Sequence, residues 1–324
     1  LYYFKINDEK YKKTILFSWL LIFSITTLDL IFELFYGKNI LGFESYIHGR
    51  LAGFFNDELI IGHFYYAFIL IIITFLFKIL SNQKFNITNK QFDLKDSIYI
   101  FIFFFLIISF LIGERSNFLK VIIMIVIFTF LFEKKLYKLK IILFTSFFIF
   151  IFVIIKTNDQ YNKRFVNLFL NQYLNNPIES IFNSEHGKHY ATALKIYDNN
   201  KFFGVGFKNY SKEIDKKEYR DFFYYESKDP STHPHQIHFE FLAELGLFGY
   251  FSLMIFFIYH FYKFVKKKNY NNNLNLSGLL FVTTSLLPLL PSGSFFTSHA
   301  ATLFWMNFAL MCLNQREAIT YRID

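Results

Sequence analysis

One cysteine, Cys312, is all that 324 residues contain, and it lies inside an apolar run, so disulfides and a cysteine-based metal site are excluded. A cleavable signal peptide is also missing: the first apolar stretch is long and lacks a small-residue cleavage site. The chain starts with Leu1 rather than methionine, and a further segment is expected upstream of it. No internal repeat is visible. No basic stripe interleaved with base-stacking aromatics occurs either, so the net charge of +9 does not indicate nucleic acid.

What the chain has instead is apolar length. Hydrophobic residues make up 54% of positions and aromatics 23%. Runs such as SIYIFIFFFLIISFLIG and KIILFTSFFIFIFVIIK are too long and too apolar for a soluble core. Eight candidate spans result, at 14–35, 59–80, 97–112, 117–132, 139–155, 239–262, 274–290 and 295–313. The third and fourth are separated only by GERS and form a helical hairpin. The expected fold is an all-α polytopic membrane protein. Its parts are a cytoplasmic N-terminus at 1–13, a five-helix transmembrane region at 14–155, a large periplasmic loop at 156–238, a three-helix region at 239–313 and a cytoplasmic tail at 314–324.

Lysines set the orientation. Lys5, Lys10, Lys12 and Lys13 precede the first span, and Lys78, Lys84, Lys90 and Lys95 lie between the second and third. Lys134, Lys135, Lys138 and Lys140 follow the fourth, and Lys263, Lys266, Lys267 and Lys268 follow the sixth. Alternating spans put all four clusters on one side, which is the cytoplasm by the positive-inside rule. Both termini are then cytoplasmic.

The opposite, periplasmic face collects the unusual polar residues: Asp29, Glu33, Arg50, Arg115, Arg164 and the stretch THPHQIHFEFLAELGLFG. Ionisable residues gathered on one face of a membrane protein point to a site there. Arg115, at the turn of the hairpin, either meets a lipid-borne pyrophosphate with its forked guanidinium or snorkels to anchor a helix end, with Glu114 beside it as a local neutraliser. Arg164 lies on an amphipathic segment with Phe165, Leu168 and Phe169 on one face, and is either a second phosphate ligand or the basic rim of an interfacial helix. His233, His235 and His238 fit no named zinc motif, and no carboxylate constellation lies near them in sequence, so no metal is expected. An imidazole with a pKa near neutrality would suit a general base for a sugar hydroxyl. Decoration of a helix start is the plain alternative.

His186 and His189 precede a helical stretch broken by Gly204 and Gly206, where GVG is either a simple turn or a backbone approach to phosphate. Asp29 and Glu33, four apart on one helix face, bind a sugar, position Arg50, or mark where the helix leaves lipid, and the last reading ranks first. Of the isolated histidines, only His299 is placed on the face of the site.

These residues resemble a known family. THPHQIHFEFLAELGLFGY is similar to the HPHN-x-Y-L…E-x-G-x-x-G signature of the O-antigen ligase and O-antigen polymerase superfamily of bacterial envelope enzymes. RLAGFFNDELIIGHF resembles its RLSG-F loop, IGERSNFL its arginine-bearing hairpin, ALKIYDNNKFFGVGFKNY its segment before the histidines, and PSGSFFTSHAATLFW a P-x-GSFF turn. Gln236 stands where the family has Asn, His238 replaces an aromatic or aliphatic residue, and eight spans are fewer than the family usually has.

The resemblance implies a type C glycosyltransferase fold with a large periplasmic loop over a cavity open to the outer leaflet. It implies a metal-independent, cofactor-free transfer of a glycan from undecaprenyl pyrophosphate to an acceptor hydroxyl, either of the lipid A core, as in a ligase, or of a second lipid-linked glycan, as in a polymerase. On it, His235 is the catalytic residue and Arg115 and Arg164 hold the pyrophosphate, with His233, His238, Arg50, Gln236 and His299 in support. A transporter of lipid-linked sugar and a purely structural membrane protein are the rivals from other classes.

Overall fold

The computed structural model describes residues 9–58, 60–81, 84–87, 90–93, 97–132, 136–167, 184–220, 233–288 and 290–313. The tail at 314–324, Lys5, Lys95, Lys134 and Lys135, and the Leu168 and Phe169 part of the expected amphipathic face lie outside these residues.

Helices occupy all eight expected spans: α1 Glu9–Tyr36, α2 Ile61–Ser81, α3 Ile98–Leu111, α4 Arg115–Phe132 and α5 Tyr137–Thr157, then α10 Ile237–Lys266, α11 Asn273–Ser285 and α12 Ser298–Met311. Between the two sets come the short α6 Asp159–Asn162 with a π-helical turn Lys163–Asn167, then α7 Glu185–Asn199, α8 Tyr210–Glu213 and α9 Lys217–Arg220. Among the described residues, α1, α2, α5 and α10 are long and apolar enough to cross a membrane. Helix α3 is apolar but 14 residues long; that is about 21 Å of rise against a hydrocarbon core of about 30 Å.

Two expectations change. The run expected at 274–290 stops being helical at Ser285, because Pro288 and Pro291 supply no backbone N–H and disfavour helix in the residues before them. The lysine-rich connection between α2 and α3 is not featureless: β1 Lys84–Ile87 pairs antiparallel with β2 Lys90–Asp93, with Lys84 opposite Asp93 and Ile87 opposite Lys90. Among the described residues the fold is therefore helical apart from one short hairpin, where an all-α fold was expected.

The chain divides into two units, one of residues 1–165, 264–284 and 306–324, the other of 166–263 and 285–305. In the first unit, the middle of α2 is apolar on every side and buried from Tyr65 to Phe75, as expected of a helix enclosed by others. Two side-chain bonds tie it to distant helices: the Tyr66 hydroxyl donates to the Phe281 carbonyl (2.9 Å), and the Asn307 amide donates to the Ala67 carbonyl (3.2 Å). By contrast α1 and α5 leave apolar side chains such as Leu28 and Ile142 exposed, the pattern of surfaces that meet lipid.

In the second unit, α7 packs on the start of α10. Ala193, Ile196, Tyr210, Ile214, Tyr219 and Ala243 form its core, with Val205 and Phe239 against it. Helix α10 is kinked at Gly246 (φ 62, ψ −168). A kink frees amides and carbonyls that lipid cannot satisfy. The segment 201–206 takes them up: Leu247 N–H donates to the Lys201 carbonyl (2.8 Å) and Phe248 N–H to Phe202 (3.2 Å), while Val205 N–H donates to Ala243 (3.0 Å) and Gly206 N–H to Glu244 (2.9 Å).

Candidate active site

The polar residues singled out in the sequence fall into two groups, one in each unit. The first is built on α1. Asp29 and Glu33 are buried there, and their carboxylates serve the following loop rather than marking an exit from lipid. Asp29 accepts from Ile40 N–H (2.9 Å), and Glu33 accepts from Ala52 N–H (2.7 Å) and Gly53 N–H (2.8 Å). Asn39 donates to the Gly53 carbonyl and accepts from Leu41 and Phe43. This lacing fixes the chain on either side of Arg50, and Leu51 N–H closes it onto the Ile112 carbonyl at 3.1 Å.

The α3–α4 turn supplies the second wall. Gly113 takes φ +77, and a Cβ there would run into the Gly49 carbonyl; glycine is required on both counts. Gly113→Ala is accordingly expected to lower the melting temperature of the detergent-solubilised protein by several degrees, about 2 kcal/mol or more. An unchanged melting curve would show that the 49–51 loop does not rest on this turn.

The third wall is the segment after α5. Asn158 caps α6 by accepting from Gln160 and Tyr161 N–H. Tyr161 donates its hydroxyl to the Leu111 carbonyl (2.8 Å) and stacks on Phe110 (centroids 5.3 Å), and Phe165 packs on Phe110 (4.7 Å) and Phe118 (6.0 Å). Burial raises the Tyr161 phenol to about 12, so it stays a neutral donor. These aromatic anchors hold the π-helical turn that presents Arg164, whose Nε donates to the Gly113 carbonyl. π turns recur at functional sites.

Three segments thus bring Arg50, Arg115 and Arg164 around Glu114. Arg50 Nη2 lies 3.6 Å from Glu114 Oε2, and Asn117 donates to Oε1 at 2.8 Å. The sequence suggested that Glu114 would neutralise Arg115, its neighbour. Its ion pair is with Arg50, and among the described residues no hydrogen bond or ion pair holds the Arg115 guanidinium. Arg50, Lys120 and Arg164 all act on the Glu114 carboxylate, whose pKa is nevertheless raised because burial outweighs them. Burial first, then the charges of Arg50 and Arg115, lower Arg164 to about 10, so it remains cationic at neutral pH. Arg50, Lys120 and Arg164 act on Glu114 and Arg115 acts on Arg164, so the cations outnumber the carboxylates, which suits an anion of two or more charges.

The second group is imidazole. Ser184 caps α7 by accepting from Gly187 N–H, which sets His186 and His189, three apart, on one face. The loop before α10 brings His233 and His235 to that face. His233 lies 4.1 Å from His235 between ring centroids, and His186 and His189 each lie 5.2 Å from it. His235 adopts φ 57 and its carbonyl accepts from Ser292 N–H (2.8 Å). A left-handed non-glycine residue is uncommon and recurs at functional sites.

The expectation of a pKa near neutrality for His235 is not met. Burial, then the charges of His233, His186 and His189, push it down to about 2, and similar causes take His189 and His233 to about 4. All three are neutral at pH 7. Among the described residues, no group of three His, Cys, Asp or Glu is arranged to hold a metal.

The remaining residues have structural duties. Gln236 is buried and caps α10, its side-chain oxygen accepting from His238 N–H (2.7 Å) and Phe239 N–H (3.1 Å); an amide at the position of the family's Asn thus caps the helix. His238 turns to the Leu286 carbonyl (2.9 Å) and the Tyr250 hydroxyl (3.2 Å). His299 stands half-buried in the first turn of α12. GVG approaches the backbone of Ala243 and Glu244.

Glu240 and Glu244, one turn apart on α10, were not singled out in the sequence. Glu240 accepts from the Ser294 hydroxyl and from Phe295 N–H (2.7 Å), which fixes the PSGSFF turn. Glu244 accepts from Lys208 N–H (2.7 Å) and Tyr210 N–H (3.2 Å), which starts α8. Two carboxylates in an otherwise apolar helix were the available signal. Glu244→Ala, which strands two amides, is expected to cost about 3 kcal/mol, and Glu244→Gln, which keeps one acceptor oxygen, about half as much. Equal melting temperatures for both variants and the parent would remove this role.

Among curated proteins, none matches the chain. The family model described as O-antigen ligase matches residues 100–254, a stretch that takes in the Arg115 turn, Arg164, all four clustered histidines and both α10 carboxylates. Over that stretch, a little under half of its length, the chain is similar to the O-antigen ligase family.

Proposed function

We propose that the chain is an O-antigen ligase-type enzyme that moves a glycan from undecaprenyl pyrophosphate to a hydroxyl of the lipid A core, on the periplasmic side of the bacterial inner membrane. The observation that supports it most is the gathering of Arg50, Lys120 and Arg164 about Glu114, with Arg115 acting on Arg164.

In this reading the acceptor oxygen attacks the anomeric carbon, the bond from that carbon to the phosphate oxygen breaks, and the lipid pyrophosphate leaves with the bonding pair. Arg115 and Arg164 stabilise the charge that develops on the leaving oxygens, and a fixed cationic clamp does this without a divalent ion. Glu114 holds Arg50 in place, so Arg50 is a positioning residue. His235, neutral at pH 7, accepts a hydrogen bond from the acceptor hydroxyl and orients it, and the proton that this oxygen loses passes to water or to the departing pyrophosphate.

The test is carried out in cells whose own copy of the gene is replaced by variants. His235→Ala and Arg115→Ala are each expected to abolish surface polysaccharide on gels while the protein is still found in membranes. Free long lipid-linked polymer should accumulate if the acceptor is the core. Single repeat units on the core would mean that the enzyme extends lipid-linked repeats instead, and normal glycan from both variants would refute the residue assignments.

A further inference from the structure

Five exposed phenylalanines of the second unit, three of them in ring contact, are left unused by the glycan chemistry. Phe202, Phe203 and Phe207 follow α7 and are 62%, 76% and 58% exposed, and Phe248 and Phe251 on α10 are 58% and 55% exposed. The rings touch: Phe202 and Phe203 lie 5.9 and 5.3 Å from Phe248 between centroids. This surface is rigidly held, because Leu247 and Phe248 N–H bond to the Lys201 and Phe202 carbonyls and Val205 and Gly206 N–H bond back to α10. Gly204 (φ +66) and Gly206 (φ +91) make the turn that lets the segment lie along the kink. The phenyls thus cannot collapse inward to escape water.

Continuity identifies what covers them. Phe248 and Phe251 belong to α10, a helix long and apolar enough to cross a membrane. Farther along the same helix, Ile255 and Ile258 are 66% and 63% exposed, and the one exposed polar side chain between them and Phe248, Ser252, turns its hydroxyl to the Phe248 carbonyl, so the apolar outer surface continues from the aromatic patch. Two cations flank the patch: Lys201 is exposed beside Asp198, and the Lys208 ammonium lies 6.0 Å from the Phe207 ring centre. Aromatic rings bordered by lysine suit the boundary between acyl chains and phosphate headgroups. A protein facing only water rarely keeps an exposed apolar surface of this extent.

We propose that the segment 201–208 is an interfacial anchor that buries Phe202, Phe203 and Phe207 in the headgroup–acyl boundary of the bilayer, with Lys201 and Lys208 on lipid phosphates. Segment 201–208 directly follows α7, so the anchor also fixes the depth at which His186 and His189 stand. The inference does not depend on the proposed transfer reaction.

The experiment uses the full chain with Trp19 and Trp305 changed to phenylalanine and Phe203→Trp as the sole tryptophan. The protein is reconstituted in phosphatidylethanolamine–phosphatidylglycerol vesicles that contain phospholipid with a doxyl quencher either near the headgroup or deep in the acyl chain. Blue-shifted emission, quenched most by the shallow label and hardly by aqueous iodide, is the expected result. Red-shifted emission quenched by iodide would overturn the proposal. So would blue-shifted emission that neither doxyl lipid reduces, which would mean that a second copy or another protein surface covers the patch. Phe207→Trp in the same background is an independent repeat, because its exposed ring can be replaced without disturbing the core.

Discussion

Arg164→Lys, which keeps the charge, is expected to reduce glycan transfer by about a hundredfold or more in membranes supplied with lipid-linked donor, in line with removal of one preorganised donor to a developing anion. The expectation follows from what the guanidinium already does. Its Nε donates to the Gly113 carbonyl, so its two terminal nitrogens are held in a fixed direction. A lysine ammonium has one nitrogen on a flexible stem and cannot both grip that carbonyl and present a planar fork. A folding defect would not produce the same result, because Tyr161, Phe110 and Phe165 anchor the segment without the arginine. The variant should therefore reach the membrane at normal levels and melt within a few degrees of the parent. Near-parental transfer by Arg164→Lys would reduce Arg164 to the basic rim of an interfacial helix. Arg50→Ala gives a second measure: it removes the ion-pair partner of Glu114 and leaves this buried carboxylate with weaker compensation from Lys120, Arg164 and Asn117, so both stability and transfer should fall.

Helix positions were legible in the sequence, because apolar length is a local signal: a helix lies in each of the eight apolar runs, four of them long and apolar enough to cross a membrane, and Gly113 in GERS marked the turn between α3 and α4. It showed helix ends less well: the run through Leu286 and Leu287 is apolar enough to continue, yet the prolines after it stop α11 at Ser285. The site was legible as a list of residues but not as partnerships. Asp29 and Glu33 looked like the end of a span, because their partners are backbone amides some eleven to twenty residues away that only tertiary return of the loop brings near. Glu114 looked committed to Arg115 beside it, although neighbours along a chain turn different ways and the pair forms with Arg50. His186 and His189 looked like ordinary helix residues because nothing in their spacing reveals that His235 will lie against them. Gln236 is the reverse case: an amide just before an apolar helix is a capping signal, and the resemblance to a catalytic motif obscured it.

The imidazole cluster leads to the second large effect, a pH profile unlike that of an isolated histidine. His233 and His189 lie near 4 and His235 near 2 in the folded protein, against 6.5 for a free imidazole. The folded state therefore favours the neutral forms. The stability that this arrangement contributes is fully present above pH 6.5, declines as pH falls below it because the unfolded chain gains protons first, and is lost as pH falls through about 4 for His233 and His189 and about 2 for His235. Transfer by the parent enzyme should accordingly stay level from pH 8 to well below 6.5, since His235 stays neutral over that range. His186→Gln removes one of the charges that depress His235 without touching its backbone. In that variant the acid limb should move upward in pH, with the alkaline plateau preserved. His235→Gln should instead lower transfer by about a hundredfold or more at every pH, the loss expected when the group that orients the acceptor hydroxyl is misplaced. A parent profile that falls with a midpoint near 6.5 would mean that the histidines titrate as free groups, and an unmoved limb in His186→Gln would remove the neighbours from the account of His235.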